Sequence, residues 1–454
     1  MPRTSFAVCV LFITFIFSAS TASAQDWNQW RGPTGNGGSA DATPPTKWSD
    51  TENVKWKVAI PGRGSGSPII SGNKVFVVTA VQTEQGAKDA KAQAEKQPEP
   101  QQERGGGGDR RRRGSRGASI PLVEMDFKVI CFDRSSGDVL WEKTAATATP
   151  HQGTHSTNGF ASASPCTDGQ HVYVSFGSRG VYCYSMDGDL VWKRDNFGQM
   201  NMRNDFGEGS SPTLFENMLI LPWDHEGPSM IYALDKLTGD TIWKTDRDEP
   251  TNWGTPIVVS NGDKKQVVVT GETKVRAYDL ESGEELWSCG GQTQRPCATP
   301  VAIDDLVIVG SGHRGQFMGA FKLDGEGDIA GSDKVAWSIN KNTPDIASPL
   351  LTNGRLYFHK GKSGIVTCLD AKTGDSIFAA TRVPGIDRTY ASPIAAGGNI
   401  YLTGRSGNTV VIKNSDKFEV VSSNSVGETV DATPAPAGNN LFIRGEKHLF
   451  CIGG

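Results

Sequence analysis

Short apolar runs recur along the chain, and each follows a turn signal of Gly, Asn or Asp. The runs read NKVFVVT, QHVYVSF, NMLILPW, KQVVVTG, DLVIVGS, GRLYFHK, GNIYLTG and NNLFIRG. Because they are short and bounded by turn formers, they predict strands joined by hairpins. No long stretch shows a helical period of apolar residues, and the 54 Gly and 24 Pro also favour strands with many turns. We therefore expect an all-β fold.

A Ser-Pro or Thr-Pro dipeptide opens each repeat. The prolines are Pro68, Pro165, Pro212, Pro256, Pro300, Pro349, Pro393 and Pro434. Their intervals lie between 41 and 49 residues, except for the first, which is 97 residues. Such a period is typical of propeller blades, and proline is tolerated where a strand begins because the hydrogen-bond ladder has not yet started. Eight starts predict an eight-bladed β-propeller.

The second half of the repeat carries the motif Asp-x3-Gly-x3-Trp. It occurs at Asp133/Gly137/Trp141, Asp235/Gly239/Trp243 and Asp279/Gly283/Trp287, and Asp370/Gly374/Phe378 keeps the spacing with Phe. We expect Asp to cap a tight turn and Gly to supply a positive φ, while Trp points outward from the next strand. The ring would then dock on the neighbouring blade and bury about 150–250 Å².

The last repeat ends without an outer strand that carries Trp. We expect the segment from Asn53 to Ile60, which contains Trp56, to supply this strand and close the ring. Upstream, a covering segment with Trp27 and Trp30 should pack on the body. Because one blade cannot bury both of its faces alone, residues 25–454 are expected to form a single propeller.

The long first interval contains an insertion over residues 81–119 with almost no apolar residues. Such a segment cannot bury enough apolar surface to fold, so we expect a disordered loop in the first blade, between strands ending at Thr79 and near Phe127. Residues 104–116 contain six Arg and one Asp. This basic arm could bind a polyanion or the cell envelope, or it could be a tolerated, solvated insertion.

Residues 1–24 match a secretion signal. Arg3 supplies a positive start, the apolar run from Phe6 to Phe17 is short for a membrane span, and Ala22-Ser23-Ala24 matches a cleavage site. We expect a periplasmic or secreted protein with no membrane span after cleavage; the alternative is an uncleaved anchor. The net charge of −4 is modest and does not favour nucleic-acid binding.

Seven cysteines follow the signal segment. Cys289 and Cys297 flank one blade junction, where they could form a disulfide or stay free. Cys166 has no obvious partner. Four others share one position in the repeat, and equivalent positions on separate blades should lie too far apart to cross-link, so we interpret them as small buried hydrophobic residues. These four are Cys131, Cys183, Cys368 and Cys451.

The Asp-x3-Gly-x3-Trp repeats resemble the tryptophan-docking repeats of pyrroloquinoline-quinone-type β-propellers, over nearly all of the chain after the signal. That family includes quinoprotein alcohol dehydrogenases and the propeller lipoprotein of the outer-membrane β-barrel assembly machine. The WNQWRGP, NGFASASP and SSP segments are most similar to secreted bacterial members without an assigned activity. The resemblance implies a propeller and allows a quinone cofactor held with calcium.

The chain also departs from the family's enzymes. It has neither the adjacent Cys-Cys pair of the large quinoprotein dehydrogenases nor a cytochrome Cys-x-x-Cys-His, and the calcium-binding Glu, Asn and Asp cannot be matched residue by residue. No lipobox Cys supports the barrel-assembly lipoprotein. The resemblance therefore implies the fold more strongly than the dehydrogenase chemistry.

Residues just before each Ser-Pro or Thr-Pro should crowd one mouth of the central funnel, because innermost strands start near the propeller axis. Many are charged or aromatic, which indicates a polar pocket with Arg clamps for an anionic or hydroxylated ligand. The alternative is a ring of ion pairs around a water-filled channel. These candidates are Arg63, Asn158, Phe160, Glu208, Trp253, Arg295, Asp345, Arg388, Tyr390 and Asp431.

Histidines add candidates in two loops. His151 and His155 could bind zinc, but the Gly and Thr between them favour a loop that lines the funnel or the surface. Asp224, His225 and Glu226 could serve acid–base chemistry or form a loop hydrogen-bond cluster. The glycines of GRGSG, residues 62–66, are weak evidence for phosphate binding. We assign no catalytic residue and no metal ligand.

We therefore expect a monomeric binding or scaffold protein that takes a protein or a small polar or anionic ligand at its funnel. The main alternative is a pyrroloquinoline-quinone-dependent alcohol or sugar dehydrogenase, with Arg295 and Arg388 near the quinone carboxylates and Trp253 as a stacking ring. A polysaccharide hydrolase or lyase acting through the His225 loop is a third possibility, and no motif supports it.

Overall fold

Each of the eight Ser-Pro or Thr-Pro dipeptides is followed directly by a strand in the computed structural model, which describes residues 26–95 and 122–454. The strands of the first half are β1 (Gly38–Ser39), β2 (Val54–Ala59), β3 (Ile69–Ser71), β4 (Lys74–Gln82), β5 (Met125–Asp133), β6 (Val139–Ala148), β7 (Cys166–Thr167), β8 (His171–Ser175), β9 (Val181–Ser185), β10 (Leu190–Arg194), β11 (Thr213–Phe215), β12 (Met218–Trp223), β13 (Ser229–Asp235) and β14 (Thr241–Arg247).

The strands of the second half continue the same pattern. They are β15 (Ile257–Asn261), β16 (Lys264–Val269), β17 (Val275–Asp279), β18 (Glu285–Cys289), β19 (Val301–Ile303), β20 (Leu306–Ser311), β21 (Phe317–Lys322), β22 (Gly327–Asp328), β23 (Val335–Ile339), β24 (Leu350–Thr352), β25 (Arg355–His359), β26 (Ile365–Asp370), β27 (Ser376–Arg382), β28 (Ile394–Ala396), β29 (Asn399–Thr403), β30 (Asn408–Lys413), β31 (Val420–Ser425), β32 (Ala435–Ala437), β33 (Asn440–Arg444) and β34 (His448–Gly453). An α-helix, α1 (Glu84–Glu95), and two short 3-10 helices, Gly177–Arg179 and Arg203–Asp205, complete the described elements.

These strands form eight antiparallel sheets, which are the eight predicted blades. In order from the axis outward, blades 1 to 4 are β3-β4-β5-β6, β7-β8-β9-β10, β11-β12-β13-β14 and β15-β16-β17-β18. Blades 5 to 8 are β19-β20-β21-β23, β24-β25-β26-β27, β28-β29-β30-β31 and β32-β33-β34-β2. Two short strands add in parallel at the margins, β22 beside β18 and β1 beside β28.

The N-terminal strand closes the ring, as predicted. Strand β2 pairs antiparallel with β34, and Trp56 lies opposite Cys451. Blade 8 thus combines three strands from the end of the chain with one from near its beginning. Because both ends of the chain share this sheet, the ring is closed by backbone hydrogen bonds.

Burial in each blade follows from its place in the stack. The second and third strands are buried on both faces, as in β4, where Val75, Phe76, Val77 and Val78 are each 0% exposed. Neighbouring blades cover both of these faces, so the strands read as continuous apolar runs rather than alternating ones. Outer strands are mostly exposed apart from their aromatic residue.

The outward-pointing indoles dock on the next blade, and five of them bind the turn that carries the motif's glycine. Five indole N–H groups donate to a backbone carbonyl of that turn at 2.8–3.1 Å. The pairs are Trp56–Arg134, Trp141–Met186, Trp192–Lys236, Trp243–Leu280 and Trp337–Ala371. Trp287 differs, because its indole N–H donates to the Gln266 side chain of its own blade at 3.0 Å. The turn glycine has a positive φ, as predicted, and lies under the ring: a Cβ on Gly283 would lie 2.4 Å from Trp243. The motif therefore needs Gly both for φ and for space.

A hydrogen-bonded ring of hydroxyl residues joins the innermost strands around the axis. At seven blade junctions, the backbone N–H of the residue before proline donates to the matching Ser or Thr hydroxyl of the next blade, at 2.9–3.1 Å. The residues of this hydroxyl ring are Ser67, Ser164, Ser211, Thr255, Thr299, Ser348, Ser392 and Thr433.

The segment around Trp27 and Trp30 packs against the innermost strands, as predicted. Trp27 is 1% exposed and exchanges backbone hydrogen bonds with Ile70 of blade 1. Arg31 is buried, and its guanidinium donates to the carbonyls of Pro393 and Pro349 on two other blades. Trp30 Nε1 donates to Thr299 Oγ1 of the hydroxyl ring at 2.9 Å.

Residues 81–95 differ from the disordered loop expected there. Strand β4 continues to Gln82, and α1 follows it, with the Thr83 hydroxyl accepting from Gly86 N–H at 3.0 Å as an N-cap. Helix α1 is exposed, so its sequence lacks the apolar period by which a helix is recognised. The rest of the insertion and residues 1–24 lie outside the described residues.

The seven cysteines from Cys131 onward are all free thiols, so Cys289 and Cys297 do not pair. The four that share a repeat position are buried, in agreement with the sequence interpretation. In the part of the chain that the structure describes, no helix has both the length and the apolar character needed to cross a membrane.

Candidate functional site

A cavity of about 350 Å³ lies on the propeller axis, and residues from all eight blades line it. On one side it is bounded by hydroxyl-ring residues and Trp30. On the other side lie the loops that enter the innermost strands. We call this the central cavity; it is the funnel expected from the sequence.

Seven of the fifteen candidate residues line the central cavity. They are His155, Asn158, Trp253, Arg295, Asp345, Tyr390 and Asp431. Six of them lie in loops just before an innermost strand. His155 lies three residues before Asn158 in the same loop. The structure therefore brings together most of the residues that precede the Ser-Pro and Thr-Pro dipeptides.

The other eight lie elsewhere. Arg63 lines a neighbouring cavity of about 120 Å³. A small cavity of about 50 Å³ near blades 2 and 3 is lined by His151, Phe160, Glu208 and Asp224. None of these three cavities is lined by His225, Glu226 or Arg388, and Arg388 is exposed.

The Asp224–His225 loop is held by structural contacts. Asp224 is buried and accepts two hydrogen bonds from Arg247, at 2.8 and 3.0 Å, and one from Asn252. His225 Nδ1 accepts from the backbone N–H groups of Asn201 and Gly227, both at 3.1 Å. With these atoms engaged, the geometry favours a loop cluster over acid–base chemistry.

Glu208 is held by one neighbouring residue. Its carboxylate accepts from both the backbone N–H and the hydroxyl of Ser178, at 2.7 and 2.5 Å. These contacts tie the loop before blade 3 to the 3-10 helix of blade 2.

Arg295 presents an unpaired guanidinium to the central cavity. The group lies over the face of Phe206, 4.9 Å from the ring centroid, and its buried Nε has no hydrogen-bond partner. None of the ion pairs among the described residues involves Arg295. Burial lowers the pKa of this guanidinium, and the neighbouring Arg314 and Arg203 lower it further, while Glu272 and Cys297 raise it in part. An anion would relieve this uncompensated charge.

The two carboxylates of the cavity are already neutralised. Asp431 accepts two hydrogen bonds from Arg405, at 2.6 and 2.9 Å. Asp345 lies 3.5 Å from the ammonium of Lys362. Because both acids already have cationic partners, neither of them compensates the positive charge of Arg295.

The surroundings of His155 in the central cavity also carry positive charge. Burial lowers the pKa of its imidazole, and Lys362, Arg405, Arg388 and Arg63 lower it further. Its Nδ1 lies 2.8 Å from Thr157 Oγ1, and its ring meets Phe206 edge to face. Both effects favour the neutral imidazole, and the four charged groups that lower its pKa are all cationic.

Aromatic rings form much of the remaining wall. Trp253 donates its indole N–H to Gly207 O at 2.7 Å and lies beside Phe206. Tyr390 lies under the Arg405 guanidinium, 4.4 Å from it. Because guanidinium groups and aromatic rings lie side by side in this wall, the cavity suits a flat molecule that carries negative charge.

The chain matches a known protein family over most of its length. A family model described as "Outer membrane protein assembly factor BamB" matches residues 125–380 and 227–452. The chain belongs to this family. These pyrroloquinoline-quinone-type propellers share the fold described above, and a search of curated proteins finds no match to the chain.

Solved structures show the same propeller. The quinohemoprotein alcohol dehydrogenase from Comamonas testosteroni is 10% identical, covers 96% of this chain and 82% of its own, and has a TM-score of 0.58. The corresponding enzyme ADHIIG from Pseudomonas putida HK5 is 9% identical over 95% and 81% of the two chains, with a TM-score of 0.56. BamB from Moraxella catarrhalis is 13% identical over 73% and 95%, with a TM-score of 0.50. At these identities the likeness concerns the fold.

The quinone and the calcium that the family resemblance allows fit the cavity unequally. A planar polycarboxylate suits Arg295 and the rings of Trp253 and Phe206, so the organic group would be held by these residues. For calcium, the described segments contain no group of three or more His, Cys, Asp or Glu side chains that could hold a metal. The two nearby acids already bind Lys362 and Arg405. We therefore derive no chemical step through this cofactor.

Several cavity residues were not predicted, and they share an origin. Lys362 and His313 lie in the hairpins between the second and third strands of their blades, which open on the same side as the entry to the innermost strand. Antiparallel pairing requires this arrangement, so the hairpin positions could have been included from the strand pattern. Phe206 and Trp30 carried no comparable signal.

Proposed function

We propose that the protein is a binding protein whose central cavity takes a small anionic ligand with a flat ring. The observation that carries this proposal is Arg295, a half-buried guanidinium with no ion-pair partner among the described residues, which faces a cavity of about 350 Å³ beside Trp253 and Phe206. A charge-assisted hydrogen bond there would contribute roughly 1.5–3 kcal/mol, and stacking would add to it.

Titration calorimetry with a panel of aromatic and heterocyclic carboxylates tests this proposal. The panel includes pyrroloquinoline quinone with and without calcium. We expect Arg295→Gln to weaken the best ligand by roughly 10- to 100-fold, as the loss of such a bond implies. The matched control is Arg314→Gln, which removes the same charge nearby from an exposed side chain outside the cavity.

Two results would decide against the proposal: no panel member binds, or both variants weaken binding equally. In the second case the general positive field, and not Arg295, would hold the ligand. Dye reduction with alcohols, measured in the quinone-loaded samples, tests the dehydrogenase alternative separately. A protein partner at the funnel is tested by whether the bound panel ligand prevents a pull-down from envelope extract.

We also propose that the protein works outside the cytoplasm. The secretion signal expected over residues 1–24 and the family description, an outer membrane protein assembly factor, support this location. Release of the protein by osmotic shock, with its N-terminus at Gln25, is the expected result; retention with the cytoplasmic fraction would contradict it.

A further inference from the structure

A second cavity, of about 120 Å³, opens beside the central one where blade 8 meets blade 1. The two cavities share Ser65, Thr157 and Asp431 in their linings, so they lie next to each other. We call the smaller one the side cavity. Three arginines line it, Arg63, Arg405 and Arg444.

Arg444 is the central feature of the side cavity. It ends β33 and is only 2% exposed, and its Nη1 donates to Gly66 O at 3.0 Å. It takes part in no ion pair among residues 26–95 and 122–454. Burial lowers the pKa of the guanidinium to about 10, so it stays charged at neutral pH. A buried cation without a carboxylate is costly unless something else compensates it.

The GRGSG segment forms the wall opposite Arg444. A Cβ on Gly64 would lie 2.5 Å from Arg444 Nη2 and 2.7 Å from Ala161 O, so only glycine lets the guanidinium approach this loop. Arg63, the residue before Gly64, is half-buried, and its guanidinium donates to Ser156 O at 2.6 Å. The segment thus brings a second guanidinium and a bare stretch of backbone to the same cavity.

The charges of the side cavity do not balance. Against its three arginines stand two acids, Asp431 and Glu446. Asp431 is occupied by both nitrogens of Arg405, and Glu446 is exposed at the rim. Arg63 and Arg444 are therefore left facing the cavity with only carbonyl acceptors.

Arg31 provides an internal comparison, because it is also a buried arginine that binds carbonyl groups. Both of its terminal nitrogens are engaged, by Pro393 O at 2.9 Å and Pro349 O at 2.7 Å. It lines none of the three cavities. Arg31 acts as a clamp between blades, whereas Arg444 has a cavity in front of it.

We propose that the side cavity binds one oxyanion group, a phosphate, sulfate or carboxylate, between Arg63 and Arg444. Paired guanidinium groups bind such oxyanions through several charge-assisted hydrogen bonds. The inference rests on the proposed function of the central cavity: a ligand held there can place a terminal oxyanion in the neighbouring side cavity.

Calorimetry of the full-length protein with inorganic phosphate, sulfate and acetate, at constant low chloride, tests the side cavity. We expect the two guanidinium groups of the side cavity to bind more tightly than the single one of Arg295, and the three anions show which oxyanion the side cavity prefers. Arg63→Gln and Arg444→Gln should each weaken the preferred anion at least 10-fold. Arg388→Gln, which removes one charge from the same rim outside the cavities, should change it less than twofold.

Two further variants keep the test decisive if Arg444→Gln fails to fold. Arg444→Lys keeps the charge and loses the planar fork, so it should fold and bind the anion more weakly. Arg31→Gln should lower stability and leave anion binding intact. Absence of binding to the wild type, or equal losses in Arg388→Gln and Arg63→Gln, would overturn the inference. Arg295→Gln separates the two proposals, because it should spare inorganic-anion binding in the side cavity and impair the binding of the panel ligands.

Discussion

The substitution Gly283→Ala tests how the blades are joined. Gly283 has φ +74°, and an added Cβ would lie 2.4 and 2.5 Å from two ring carbons of Trp243, which docks from the preceding blade. The indole is pinned by its hydrogen bond to Leu280 O at 2.9 Å and is 8% exposed. It has little freedom to move away from the new methyl group.

The expected cost has two parts. A non-glycine residue in the left-handed region costs about 1–2 kcal/mol, and overpacking a filled site costs about 1–3 kcal/mol. Gly283→Ala should therefore lower the free energy of unfolding by about 2–5 kcal/mol. Gly398 is the matched control, because it has the same φ of +74° and nothing lies within 4 Å of the position that a Cβ would take there. Gly398→Ala should cost only the backbone part.

Denaturant unfolding of the two variants, followed by tryptophan fluorescence and circular dichroism, gives the comparison. A double-mutant cycle adds the partner: after Trp243→Ala, which alone should cost about 3–5 kcal/mol, Gly283→Ala should cost about as little as Gly398→Ala. The coupling between the two sites should then be about 1–3 kcal/mol. Equal destabilisation by Gly283→Ala and Gly398→Ala would refute the docking argument.

Three other predictions concern closure, pH and thiols. Trp56→Ala should destabilise the protein by about 3–5 kcal/mol in denaturant unfolding, because it removes the docking indole of the closing strand. His359 is fully buried, and burial lowers its pKa to about 4. Below its ordinary value of about 6.5 the unfolded chain takes up a proton that the folded protein refuses, so stability should fall by up to about 3 kcal/mol between pH 6.5 and 4; His359→Phe should flatten this fall in melts across that range. Cys289 and Cys297 should give the same peptide masses with and without reductant. Although Cys297 is partly exposed to the central cavity, desolvation raises its pKa to about 12, which should make its alkylation slow at pH 8.

The fold could be predicted from the sequence because its determinants repeat. Each Ser-Pro or Thr-Pro start and each Asp-x3-Gly turn is a local signal with a fixed geometric meaning. The number of blades then follows from the number of these starts. Helix α1 could not be predicted in the same way, because an exposed helix carries no apolar period. The contacts of Arg31 with two distant blades were also out of reach, since nothing near it in sequence specifies them.

The central cavity was predicted only in part. Residues before the innermost strands were found because their place in the chain fixes their place on the axis. Lys362 and His313 depend on the hairpins at the same mouth, and which of those side chains turn inward is decided by packing. The pairing of Asp431 with Arg405, which leaves Arg295 as the uncompensated charge, likewise depends on three-dimensional distances.

Because β2 and β34 pair in one sheet, the ring can close only after the end of the chain has been synthesised. Strand β2 is made early, yet its partner lies at the far end of the chain, almost 400 residues later. At about 5–20 residues per second, synthesis of that stretch takes roughly 20–80 seconds. Until β34 is made, β2 has no partner in this sheet and the ring cannot close, so the blade faces at the gap stay uncovered unless a chaperone binds them.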